Sequence, residues 1–276
     1  MNTKYLLTLA YDGTNYRGFQ VQNGTEDVPT VQRTVQDALE HIYGERLAVT
    51  GCSRTDAGVH ARDFKLTYSI GEKHSKIPVS HIPPAFNTVL PPDIAVLDAR
   101  CVPEHFHVRH DVWEKEYEYL VHNSRIPDPF LAGRAYLCKY PIDAERMSEA
   151  AQVFLGTHDF RGFMASGSDM EDTVRTVRSV SVTRNGTTVA FRIAADGFLY
   201  NMVRIFVGTM LGCAGGRFRA EDLSDILASR DRSRAGMTVP AYGLYLNRVT
   251  FREDAFSEAP EKATKETSKT DDGKEE

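Results

Sequence analysis

The chain of 276 residues has few cysteines and no arrangement of them that suggests a disulfide scaffold or a zinc knuckle. Cys52, Cys101, Cys138 and Cys213 are far apart, and no C-x-x-C pair occurs. Free thiols in a reducing, cytoplasmic compartment fit that spacing best. No apolar run approaches the ~20 residues of a membrane span, and the first residues lack a long apolar segment of the kind that directs secretion. The sequence therefore predicts neither membrane association nor export. A P-loop, a G-x-G-x-x-G at a strand-to-helix turn and an H-E-x-x-H pair are all missing, so the usual nucleotide, dinucleotide and hydrolytic-zinc signatures are absent.

Excess positive charge is missing as well, the net charge being -5. The deficit is local. Residues 253–276 contain nine acids and four lysines, which leaves residues 1–252 balanced at 29 acidic and 29 basic groups. A balanced body accommodates a basic groove, because attraction to phosphate depends on local arrangement. Composition permits RNA binding without arguing for it. The last stretch is charged, rich in Ser and Thr, and almost free of large apolar side chains apart from Phe256. Such a segment buries too little surface to offset its ordering entropy, so 253–276 is expected to be a disordered acidic tail.

What is present is a repeated α+β pattern. In the first hundred residues, strands are predicted at 4–11, 47–51, 64–70 and 94–101. A helix at 31–42 starts at the cap Thr30 and stops at Gly44, and a weaker helix at 78–90 is interrupted by Pro83 and Pro84. This is β-α-β-β-α-β, the split βαβ or ferredoxin-like order. The second half repeats it. A strand at 112–121 places Trp113, Tyr117, Tyr119 and Val121 on one parity and so on one sheet face. A helix from Asp143 closes at Gly156. Strands at 174–183 and 187–194 are joined by Asn185-Gly186, a strong hairpin signal. A strongly apolar helix at 199–211, a short amphipathic one at 221–229 and a strand at 244–251 complete the unit. The expected architecture is two ferredoxin-like α/β sandwiches, 1–105 and 106–252, with a boundary near 103–109 and sheets forming one continuous surface. The halves share pattern, not sequence.

Residues 51–61, Gly-Cys-Ser-Arg-Thr-Asp-Ala-Gly-Val-His-Ala, fall where one strand should turn towards the next. Taken alone, Thr-Asp-Ala-Gly is a common turn in which Asp caps and Gly58 takes a left-handed backbone. The longer string is far more specific. Arg54 to His60 reads R-T-D-A-G-V-H and closely resembles the catalytic loop of the TruA family of tRNA pseudouridine synthases. The resemblance continues in order along the chain, through Tyr11-Asp12-Gly13-Thr14-Asn15-Tyr16-Arg17-Gly18-Phe19-Gln20, Phe106-His107-Val108-Arg109, Tyr117-Glu118-Tyr119, Met202-Val203-Arg204 and Gly243-Leu244-Tyr245-Leu246. It spans about 4–250 and omits only the tail. Departures are also present. Glu114, Glu116 and Glu118 stand where relatives often carry basic residues, Phe19 stands for Trp, Ile205 for a polar residue and Ser53 for Gly.

The resemblance implies the pseudouridine synthase fold and an isomerisation in which the uracil N1–C1′ bond breaks, the base rotates and C5 rejoins the sugar. It implies no cofactor and no metal. The trio His105, His107 and His110, flanked by Phe106 and Arg109, reads as RNA-facing or solvated and not as a ligand set. Asp56 is implied as the nucleophile, with attack at C1′, attack at C6 and a glycal route all left open. Arg204 is implied as the cation keeping that carboxylate charged in a dry pocket. Arg54 is implied to help extrude the base, and Tyr117 to stack on it or move a proton. Leu244 would close the apolar side of the pocket, and His60 would orient the loop or meet RNA. Arg17, Arg54, Arg62, Arg109, Arg134, Arg161, Arg175 and Arg178 are available to phosphate.

The implied substrate is tRNA, at positions 38, 39 and 40 of the anticodon stem-loop, read by shape; the implied assembly is a homodimer. A synthase acting on other RNAs or other tRNA positions is one alternative, and two further classes compete. A non-catalytic RNA-binding module on the same fold conflicts with the intact Arg54, Asp56, Tyr117 and Arg204. A carboxylate hydrolase lacks a second convincing acid, since Glu104 and Asp159 merely lie near motif-like segments.

Overall fold

The apolar segment that opens the chain becomes β1 (Thr3–Tyr11) in the computed structural model, which describes residues 2–22, 28–74, 76–167 and 170–257. β1 pairs antiparallel with β3 (His60–Ile70) on one side and β4 (Ile94–Val102) on the other. β2 (Val49–Gly51) lies along the far part of β3, from Leu66 to Tyr68. The spatial order 4-1-3-2 is that of a split βαβ unit.

α1 (Val31–Tyr43) forms as its signals require. Thr30 Oγ1 accepts from the Arg33 N–H, and the Gly44 N–H closes onto the Glu40 carbonyl. Its buried face is Val31, Val35, Ala38 and Leu39, and each larger side chain contributes about 1.5–3 kcal/mol by leaving water. α2 (Ile82–Asn87) differs from expectation, because Pro83 and Pro84 open the helix where they were expected to interrupt it. Proline fits the first turn, whose N–H groups have no intrahelical acceptor. The residues before it, Val79–His81, form a separate 3₁₀ turn.

The second half repeats the order with β5 (Val112–Asn123), β8 (Val174–Asn185), β9 (Thr188–Ala195) and β10 (Leu244–Phe251), arranged β10-β5-β9-β8. The helices are α3 (Ala144–Ala150), α4 (Met202–Ala214) and α5 (Leu223–Ser229). Two short strands escaped the sequence reading. β6 (Tyr136–Cys138) runs parallel to the end of β5, and β7 (Gly156–Asp159) extends the edge at β8. Three or four residues are too few to display a period. Gly156 therefore opens a strand, and the helix before it ends at Ala150 and tightens into a 3₁₀ turn, Ala151–Phe154.

One parallel contact joins the halves: Tyr245 beside His60 and Leu246 beside Ala61. The result is a single ten-stranded sheet. The junction lies at the start of both β3 and β10, so the loop before β3 and the turn before β10 are brought together. Two expectations at the margins change. Trp113 lies beyond a register shift against β10 and is 51% exposed under the Arg178 guanidinium, whereas Tyr117, Tyr119 and Val121 are buried. The first four residues of the expected tail, 253–256, are structured. Glu253–Phe256 is a 3₁₀ turn whose Phe256 ring stacks on Phe106 at 5.1 Å, with the Arg100 guanidinium over the Phe256 ring at 3.8 Å. The remainder, 258–276, lies outside the described residues. None of the described helices is long and apolar enough to cross a membrane.

Candidate active site

The loop from Cys52 to Val59 is held by the segment that follows β1. The Phe19 N–H donates to the Thr55 carbonyl, and the Gly58 N–H donates to the Tyr16 carbonyl. The Tyr11 and Thr55 hydroxyls share a hydrogen bond of 2.8 Å. Within the loop, the Val59 N–H returns to the Asp56 carbonyl at 3.1 Å, making the turn read from the sequence, and Gly58 takes φ +76°. Gly13 packs so tightly that a Cβ there would lie 2.0 Å from the Val59 carbonyl oxygen. Gly13→Ala is therefore expected to displace the loop, lowering both Tm and turnover. A thermal melt with an activity assay on the same sample checks this.

Asp56 emerges from the loop with its side chain 31% exposed, 3.8 Å from Arg204 Nη1, whose side chain is 18% exposed. Burial pushes the Asp56 carboxyl above its ordinary range, and the Arg204 guanidinium pulls the other way. The ion pair is present and the guanidinium does lower the carboxyl, but burial is the larger influence. At 3.8 Å the pair is an ion pair without a short hydrogen bond, so desolvation outweighs it. The carboxylate costs more to ionise than an open one.

Arg204 is fixed from two other directions. Its Nε donates to the Val239 carbonyl at 2.7 Å, and its Nη1 donates to Asn201 Oδ1 at 2.5 Å. Asn201 precedes α4 with φ +59°, a left-handed backbone rare outside glycine. The helix thus starts three residues later than the expected 199. The expected run was apolar enough to read as helix throughout, and the left-handed residue at 201 left no periodic trace.

Tyr117 lies on β5 with its hydroxyl 3.2 Å from that of Ser53, one of the departures from the family pattern, and its ring edge-on to Phe198 at 5.1 Å. Burial raises its pKa far above the ordinary phenol. The phenol is therefore a neutral hydroxyl, suited to stacking and hydrogen bonding and poorly suited to acting as a phenolate. Arg54 is exposed and makes no ion pair or hydrogen bond to any described residue. Arg17 is exposed, and Arg109 reaches the Gly51 carbonyl at 3.5 Å.

His60 is not a ligand-facing residue. It is 2% exposed, its Nδ1 accepts the Gly13 N–H at 3.1 Å, and its Nε2 donates to the Tyr242 carbonyl at 3.0 Å. Both nitrogens are committed to joining loops, which supports the orienting role of the two expected. Arg62 and Arg134 are likewise occupied, by Glu118 and by Asp12 at 2.6 Å. The glutamates of β5 do not face the site. Glu118 pairs with Arg62 and Arg192, while Glu114 and Glu116 pair with Arg248. Asp159 is paired with Arg230 at 3.2 Å and takes no part. His107 Nδ1 accepts the N–H groups of Arg109 and His110, capping its own loop. Among the described residues no group of three or more His, Cys, Asp or Glu is placed to hold a metal ion.

The segment leading into β10 was missed by the sequence reading, which noticed only Gly243-Leu244-Tyr245-Leu246. Val239 holds Arg204, the Pro240 carbonyl accepts from the Tyr119 hydroxyl at 2.8 Å, and the Ala241 methyl faces Gly58. Tyr242 holds His60, and Gly243 lies against the Tyr119 ring. Most of these contacts use backbone, which leaves no side-chain signature. Leu244, buried at the end of this strap, begins β10 opposite Tyr119.

A family model described as tRNA pseudouridine synthase matches residues 8–111 and 150–252. A protein of Moorella thermoacetica called tRNA pseudouridine synthase A is 44% identical over 245 residues, covering 89% of this chain and 98% of its own. Its namesake in Acetivibrio thermocellus is 43% identical over 245 residues with the same coverages. That of Halalkalibacterium halodurans is 43% identical over 243 residues, covering 88% of this chain and 90% of its own. A solved chain from a Cbf5-Nop10-Gar1 complex overlaps loosely, with TM-score 0.37 at 12% identity over 89% of this chain and 59% of that one. The pairing of Asp56 with Arg204 across the junction of the two halves thus lies inside the matched regions, and the chain belongs to the tRNA pseudouridine synthase family.

Proposed function

We propose that the protein converts uridine to pseudouridine in tRNA, at positions 38, 39 and 40 of the anticodon stem-loop, with Asp56 as the nucleophile. The observation that carries this reading is a half-open carboxylate ion-paired with Arg204, set in a clamped loop beside the Tyr117 ring. A uridine lifted from its stack places its ring against Tyr117 and its sugar towards Asp56. Arg54, exposed and unpaired among the described residues, fills the space the base leaves. The N1–C1′ bond breaks, C5 bonds to C1′, the C5 proton departs and N1 gains one. Atoms and electrons balance within the nucleoside, so the chemistry requires no cofactor or metal. Leu244 closes the apolar side, and Arg17 and Arg109 meet phosphate. The reading includes a homodimer in the cytoplasm, built from halves 1–105 and 106–252.

The test is tritium release from uracil C5 of an unmodified tRNA transcript, with the modified positions mapped afterwards. Release without added metal and pseudouridine at 38, 39 and 40 are expected. Release with modification elsewhere would reject the site assignment, and no release from any tRNA would reject the activity.

A further inference from the structure

We infer that Lys115, Arg109 and Arg175 form a phosphate subsite for the RNA strand beside Tyr117. The inference rests on the proposed tRNA activity and deepens it. Lys115 was not among the residues singled out in the sequence, because Glu114 and Glu116 on either side give that strand an acidic look. The pleat separates them. Both glutamates are drawn to Arg248, at 3.4 and 3.6 Å, whereas Lys115 follows the parity of Tyr117. It lies between Val249 of β10 and Ala195 of β9, both buried.

Three features set this lysine apart. Its ammonium makes no hydrogen bond or ion pair with any described residue. The charged groups acting on it are two further cations, Arg109 and Arg175, with no carboxylate among them; the remaining neighbour is the Cys52 thiol. Burial and the two guanidinia hold its pKa below the usual lysine range, against the opposing pull of that thiol. A desolvated cation without an acid is costly, and three convergent cations add repulsion. A bound anion relieves both.

The location selects the anion. Cys52 acts on both Lys115 and Tyr117, and the next residue, Ser53, carries the hydroxyl bonded to Tyr117. Lys115 precedes Tyr117 by two strand positions, about 7 Å, a distance on the scale of a base from a phosphate of its own strand. Arg109 is anchored at the Gly51 carbonyl, where the catalytic loop begins. Arg175 is packed on Gly197, and its ion-pair partner among the described residues, Asp172, is an exposed carboxylate 3.7 Å away. A strand whose base stacks on Tyr117 therefore passes a phosphate over this cluster.

The experiment measures binding of an unmodified tRNA transcript to the full-length protein across a salt series. Lys115→Met is expected to weaken binding about tenfold near 0.1 M salt and to lower the slope of log K against log salt by about 0.7–0.9, the loss of one phosphate contact. Lys115→Arg should restore most of the slope. Because removal of a desolvated charge does not weaken a fold, Tm should be unchanged or higher. If Lys115→Met nevertheless loosens the fold, Arg109→Gln, a change at an exposed side chain, gives the same readout. A wild-type slope in both variants, alongside an active wild-type enzyme, overturns the subsite alone. A wild-type protein inactive on every tRNA overturns the proposed function instead.

Discussion

Asp56→Asn is expected to abolish tritium release, by more than about 10³-fold in kcat, as loss of a nucleophile does, while tRNA binding is retained. The same substitution should leave the protein as stable as before or more so. The sign follows from the raised carboxyl pKa. Between the unfolded value and the higher folded value, the native state binds more protons than the unfolded state, so stability falls as pH rises through that window. Above it the ionised Asp56 is a net cost to folding, and the neutral amide removes that cost. Kinetics and a denaturant midpoint at pH 7 check both parts together. Unimpaired turnover would remove Asp56 from its role, and a large fall in midpoint would show that the carboxylate holds the loop.

Arg204→Met is expected to lower kcat by about 10²–10³-fold with a smaller effect on tRNA affinity, a magnitude typical of losing one electrostatic partner in a water-poor site. Its distinctive signature lies in the pH profile. In the wild type, the acid limb of kcat/KM should titrate above the ordinary aspartate range, because burial outweighs the guanidinium. Without the guanidinium only burial remains, so the limb should move to still higher pH. A reduced rate with an unmoved limb would mean that Arg204 acts only by bracing Val239 and Asn201. A limb moving to lower pH would contradict the ion pair.

Much of this was legible in the sequence, for reasons that differ by element. α1 was readable at both ends because its stops are side-chain chemistry at Thr30 and a glycine at 44. The β8–β9 hairpin was readable from Asn185-Gly186, and Gly186 takes φ +57°. The loop carrying Asp56 was readable through a seven-residue string, and Arg204 through the oddity of a guanidinium in an apolar helix. What stayed hidden depends on backbone or on pairing at a distance. Asn201 shapes the start of α4 through its own φ, and the strap at 239–243 works mainly through carbonyls. The glutamates of β5 looked like a problem for RNA binding because sequence order does not reveal cross-strand partners such as Arg62, Arg192 and Arg248. Phe256 was visible as the lone aromatic in a polar stretch, but the rings that receive it, Phe106 and Phe251, come from two other parts of the chain.

The strap also constrains how this family member can vary. Val239, Pro240 and Tyr242 offer main-chain oxygens to three different clients, so those contacts place no demand on the side chains, although Val239 is separately fixed by its burial in the core. Spacing they do constrain. Insertion or deletion of a single residue there would put every oxygen out of phase with Arg204, Tyr119 and His60 at once, and drift in length should be far rarer than drift in letters.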